Sequence, residues 1–176
     1  MSIARLHTLA PAPSAGRIEP RQWQAVEDAL QLELPDDYKD VVEAYGSGKF
    51  ANFLTIFTPF TTNGYLNLFG QRDLALDAYR TLRASHPDAA PFPAHPEPGG
   101  LLPWGQTDNG DMVYWLTEGP SQSWPVIVIE SRHAFTQRYD LSTTEFLARL
   151  LEGRLSPEIF PTSSEQRGAA RFATVE

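Results

Sequence analysis

Residues Leu101 to Trp115, LLPWGQTDNGDMVYW, constrain the fold of this chain more than any other stretch. Two apolar runs flank Asn109-Gly110, a dipeptide that supplies the positive-φ pair a tight hairpin turn requires, and a third run, Pro125 to Ser131, follows at once. The pattern predicts a β-hairpin extended into an antiparallel set. It specifies architecture and carries no catalytic spacing.

A chain of 176 residues supports one core-bearing domain and leaves little room for a second. A hydrophobic fraction of 41% with 20% charged residues excludes wholesale disorder. With no cysteine, a disulfide framework, thiolate catalysis and a Cys-based zinc site are all excluded. The opening MSIARLHTLAPAPSAG has only short apolar stretches broken by Arg5, His7 and prolines, unlike a signal peptide or a membrane span, so a cytoplasmic protein is expected.

Residues 1–18 read as an irregular lead-in, punctuated by Pro11, Pro13, Ser14 and Gly16. Pro20 suits the first turn of a helix with Trp23, Val26 and Leu30 at helical spacing, ending near Leu34. Pro35 opens a second helix with Tyr38, Val41, Val42 and Tyr45 inward and Gly46 and Gly48 as stops. Phe53 to Phe57 reads as a strand, and a third helix is expected over Arg72 to Ala84, with Leu74, Leu76, Tyr79 and Leu82 as core contacts. Residues 85–100, with five prolines and two glycines, form a long surface loop. After the hairpin come a strand over Trp124 to Glu130, a short strand within His133 to Tyr139, and a helix opened by the capping box Ser142 to Glu145. From residue 156 to 176 the apolar period is lost, and an irregular segment and tail are expected. The order predicts an α+β domain over residues 19–155, with helices packed on a mostly antiparallel sheet of four to six strands.

The net charge of −8 is unevenly placed. Between Glu19 and Glu43 lie eight acids against Arg21 and Lys39. Such a field repels nucleic acid and attracts a basic partner. Asp36, Asp40 and Glu43, at offsets of four and three, share one helix face and are the leading partner-binding candidates; Glu27, Asp28 and Asp37 follow, with Asp108 and Asp111 at the hairpin tip. The plainer reading makes these acids the solvated faces of two surface helices.

An enzyme is not expected. His7, His86, His95 and His133 are scattered and lack metal-ligand spacing, and YGSGKF falls short of a phosphate loop. Turn chemistry accounts for Asp108 and Asp111, and core or hairpin packing for Trp23, Trp104 and Trp115. No cofactor, metal or membrane partner is implied.

Trp23, then LPDDYK at 34–39, YGSG at 45–48, LPWG at 102–105 with Asn109-Gly110-Asp111 and Trp115, and finally Phe146-Leu147 before Leu151 and Gly153, occur in an order that resembles the SUKH superfamily. More narrowly, they resemble the branch related to fungal cell-wall-assembly regulators. The resemblance covers roughly residues 20–155 and implies a single SUKH-like α+β domain. In bacteria it implies an immunity protein that neutralises a polymorphic toxin, often a nuclease, by covering its active site or substrate groove. The alternative is a regulatory or scaffolding module that binds a host protein. A third reading is a small-molecule pocket between the sheet and the proline-rich loop. The proline-rich stretch is longer than the family needs, and nothing in the sequence sets the oligomeric state.

Overall fold

The computed structural model describes residues 3–13, 19–133, 135–155, 158–160 and 171–175. Its elements are α1 (Ile3–Leu9), α2 (Pro20–Leu30), α3 (Asp36–Tyr45), β1 (Gly48–Phe50), β2 (Leu54–Ile56), α4 (Leu68–Ser85), β3 (Leu101–Thr107), β4 (Met112–Leu116), β5 (Val126–Ile129), β6 (Thr136–Tyr139), α5 (Thr143–Leu151) and β7 (Phe172–Thr174). Every strand pairs antiparallel with its neighbours in the order β6-β5-β4-β3-β2-β1-β7. The sheet therefore has seven strands, where four to six were expected. Two of them, β1 and β7, are three residues long and too brief for an alternation of apolar residues to mark them.

Alternation along the central strands divides the protein into three layers. β4 sends Val113 and Trp115 into the main core and Tyr114 and Leu116 into a smaller one, and β5 splits Val126 and Val128 from Ile127 and Ile129 in the same way. The main core is aromatic. Trp104 stacks on Trp115 at 5.5 Å, Tyr38 meets Trp115 edge-on at 4.8 Å, and Phe146 lies edge-on to Trp104 at 5.8 Å. Helices α1, α2, α3 and α5 close this layer. The smaller layer is formed by α4 and the proline-rich segment.

The expected lead-in is only partly irregular. Ile3–Leu9 is helical, with Leu6 fully buried and the Arg5 guanidinium 3.2 Å from Glu145 and 2.6 Å from Glu152, so α1 is fastened to α5. In the expected tail, Phe172–Thr174 instead forms β7. There Phe172 packs against Phe50 and Tyr45, with ring centroids 4.8 and 4.9 Å away. Residues 14–18 and 161–170, which belong to those two expectations, lie outside the described residues.

α4 starts four residues before the expected Arg72, because the Asn67 side chain accepts from the amides of Phe69 and Gly70 and so caps the helix. Leu76 and Tyr79 are core residues as expected, but Leu74 is 67% exposed. The proline-rich segment is less of a surface loop than its composition predicts. Ala90, Ala94 and His95 are buried, Pro87–Ala89 form one 3-10 turn, and Arg80 and the Tyr79 hydroxyl donate to the carbonyls of His95 and Phe92.

The β3–β4 hairpin forms, with different turn chemistry from that expected. The Gly110 amide donates to Thr107 O and the Thr107 amide to Asp111 O, so the connection is longer than two residues and Gly110 alone takes positive φ, at +90°. A turn of this kind, with one glycine in the bulge position, needs no left-handed Asn. At Ser142 only half of the predicted capping box is made. The hydroxyl accepts from the Glu145 amide, while the Glu145 carboxylate turns outward to Arg149 and Arg5.

Candidate functional site

The structure separates the eight acidic candidates into groups with different work. Asp36 opens α3 with its side chain 74% exposed and lies 3.3 Å from Lys39 Nζ. Asp40 is exposed one turn later, and Asp28 is exposed on α2, where it accepts from Gln24. Glu43 is half-buried and accepts a 2.9 Å hydrogen bond from the Trp23 indole. Burial, then the like charges of Glu43, Asp37 and Asp36 in that order, raise the Asp40 carboxyl above its ordinary range. The ridge of α3 thus concentrates negative charge around one carboxylate.

Glu27 and Asp37 are committed to the fold. Glu27 accepts from the Leu34 amide at 2.9 Å and pairs with Lys39 at 2.7 Å, which fixes the link between α2 and α3. Asp37 reaches across to α5, where it accepts from the amide (2.7 Å) and hydroxyl (3.1 Å) of Thr144 and so caps that helix from outside. Asp108 and Asp111 sit at the hairpin, apart from the ridge. Asp108 pairs with Lys49 at 2.6 Å across the sheet. Asp111 is 2% exposed and receives the Thr107 hydroxyl and the Ser131 amide, so it has no surface to offer a partner.

The second feature is a cleft of about 700 Å³ on the opposite face of the sheet, where the third reading expected a pocket between the sheet and the proline-rich loop; His86 and Ala89 of that loop line it, but its main wall is α4. Ala75, Ala78 and Leu82 of α4 face Met112, Tyr114 and Ile129 of β4 and β5 across it. It exists because one helix and one loop cover this face of a seven-stranded sheet, and among the described residues no second helix lies beside α4. The Tyr114 side chain is 3% exposed at the floor, and burial keeps its phenol raised and protonated. Its hydroxyl makes no hydrogen bond to the described residues and is not sealed from solvent. His86, Arg132 and His133 stand at the cleft, together with Glu130, whose carboxylate accepts from the His133 amide at 2.6 Å. A shallower hollow continues past Gln71 and Gln106 to Lys49 and to Tyr65, which is 84% exposed.

Among the described residues, no group of three or more His, Asp or Glu is placed to hold a metal ion, and no helix is long and apolar enough to cross a membrane. His95 is packed under the proline-rich segment, with Nε2 3.1 Å from Leu30 O. Burial, against that hydrogen bond and with help from Arg72 and Arg80, holds its pKa below the ordinary histidine value.

Comparison with protein families gives a match to SUKH_6, described as SMI1-KNR4 cell-wall, over residues 20–147. The chain belongs to that family. No curated protein matches it. The SUKH_6 span begins at α2 and ends within α5, and so contains the acidic ridge, the cleft and six of the strands, β1 to β6. α1 and β7 lie outside it, as additions that brace α5 and extend the sheet beyond β1.

Proposed function

We propose that this SUKH_6 protein is a binding protein of the immunity type, which neutralises a cognate toxin domain by laying the acidic ridge of α3 over basic residues of the toxin's active site or substrate groove. The observation that carries the reading is the placement on α3 of Asp36, Asp37 and Glu43 around Asp40. Three neighbouring acids and partial burial disfavour its charge in the free protein, and a basic surface brought against it relieves that cost. Asp36 and Asp28 extend the same charge outward, while Glu43 is held in place by Trp23. The protein performs no reaction in this mechanism, and the partner is a protein with a basic surface.

The experiment is co-expression with a toxin domain encoded beside the gene, scoring survival of the cells and co-purification of the two chains together. Rescue with a stable complex is expected. A verified toxic neighbour with neither rescue nor complex would remove the immunity reading. The second reading, a regulatory module that binds a host protein, is favoured by the cell-wall description attached to the family. An isolated gene among housekeeping functions would favour it.

A further inference from the structure

We propose that the cleft between α4 and the sheet is a binding site for a small apolar acid, a monocarboxylate with an alkyl or aromatic body. The inference is independent of the acidic ridge, which lies across the sheet. Three observations point to this ligand. The cleft has the volume of a small-molecule site, about 700 Å³, and its walls are apolar on both sides, with Ala75 and Ala78 opposite Met112 and Ile129. Its floor holds the protonated phenol of Tyr114, a buried residue whose hydroxyl makes no hydrogen bond to the described residues, is not sealed from solvent, and is a donor for a ligand oxygen. Its rim carries Arg132, a permanent cation in a protein that is otherwise strongly acidic.

The charges facing the cleft favour an acid over a base. Glu130 is the carboxylate at that rim, and it is already occupied by the His133 amide and by His133 Nδ1 at 3.2 Å. Arg132 has no ion pair among the described residues, and the imidazole of His86 adds a further polar group on the α4 side. A carboxylate is received by the Arg132 guanidinium and the Tyr114 hydroxyl, while its body lies between the apolar walls. Leu74, exposed on the outer turn of α4, extends the apolar wall outward.

The test uses the full chain with decanoate and its uncharged counterpart decanol, followed by calorimetry and by amide shifts in NMR spectra. Saturable one-to-one binding of decanoate is expected, with a Kd on the order of 10–100 μM, and with shifts confined to α4, β4 and β5. Ala78 is exposed, so Ala78→Trp fills the cleft without disturbing the core, and it should abolish binding of both probes. Tyr114→Phe should weaken decanoate roughly fivefold, and Arg132→Gln should weaken decanoate while leaving decanol unchanged. Three results would each overturn the proposal: no saturable binding to the native chain, equal binding by a folded Ala78→Trp variant, or an Arg132→Gln variant that treats decanoate as the native protein does. None of these bears on toxin rescue, so the two readings fail separately.

Discussion

Asp37 and Asp40 stand three residues apart on α3 and are opposite cases of the same side chain. Asp37 supplies the acceptor for the Thr144 amide at the start of α5, a backbone donor that no helical carbonyl can reach. Removing it leaves that amide without its acceptor, so Asp37→Ala is expected to destabilise the protein by about 1–2 kcal/mol in urea denaturation at pH 7. Asp40 has the reverse sign. Its pKa in the fold is raised, so the charged carboxylate is less favourable in the native state than in the unfolded chain. The resulting loss of stability is fully present above the folded pKa and fades as the pH falls through it. Asp40→Asn should therefore stabilise the free protein by about 0.3–1 kcal/mol at neutral pH, the size of a few like-charge helix pairs, with the gain vanishing at acid pH. A variant that lost stability at neutral pH would contradict the crowding of like charge on the ridge. Neither role was legible in the sequence. Helical offset placed both acids near one another, but the partner that distinguishes them, Thr144, lies more than a hundred residues away.

At the scale of elements, what the sequence revealed depended on length and on local signals. Helices α2 and α3 and the β3–β4–β5 set carry apolar period or turn chemistry over enough residues to be read, and they appear where they were expected, except that α2 stops at Leu30 rather than near Leu34, because Gln31 turns left-handed and ends it. The start of α4 was misplaced because its cap is a single asparagine within the turn-rich run before it, and Leu74 has helical spacing without a core to face. The cleft was read only as a pocket between the sheet and the proline-rich loop, without the part that α4 plays, for a related reason. Its walls come from α4, β4 and β5, each ordinary by itself, and the opening results from how little covers that face of the sheet. β1 and β7 were missed because, unlike β2, which lies within the apolar run Phe53 to Phe57, neither three-residue strand sits in a run of branched and aromatic residues. Their contact is nevertheless tight. A Cβ on Gly48 would stand 2.4 Å from the Ala173 carbonyl oxygen and 2.3 Å from the Phe172 ring. Gly48→Ala must push β7 away from β1, at a cost of about 1–3 kcal/mol. The expected readout is faster hydrogen exchange at the amides of Ala51 and Val175, which donate to Arg171 O and Ser47 O, with the β3–β4 amides unchanged.

On the scale of the whole molecule, charge and apolar surface are sorted to opposite sides of the sheet. The helices on one side carry the acidic ridge, and the other side carries the cleft, so one compact partner cannot cover both. The field of the ridge acts at a distance, and its effect belongs to encounter rates rather than to contacts. With a basic partner in hand, Asp36→Asn combined with Asp40→Lys is expected to slow association about tenfold at low ionic strength, with a smaller difference in high salt. Rates that match the native protein at every salt concentration would take the ridge out of the mechanism. The sheet has one further property, set by the order in which its edge is built. β1 ends up between β2 and β7, and the pairing of Gly48 with Thr174 closes across most of the chain. Contacts so distant in sequence form slowly. On the ribosome, β1 can pair with β2 early, but its outer edge stays bare until residues 172–174 have been made. That interval is when a neighbouring nascent chain could take the place of β7.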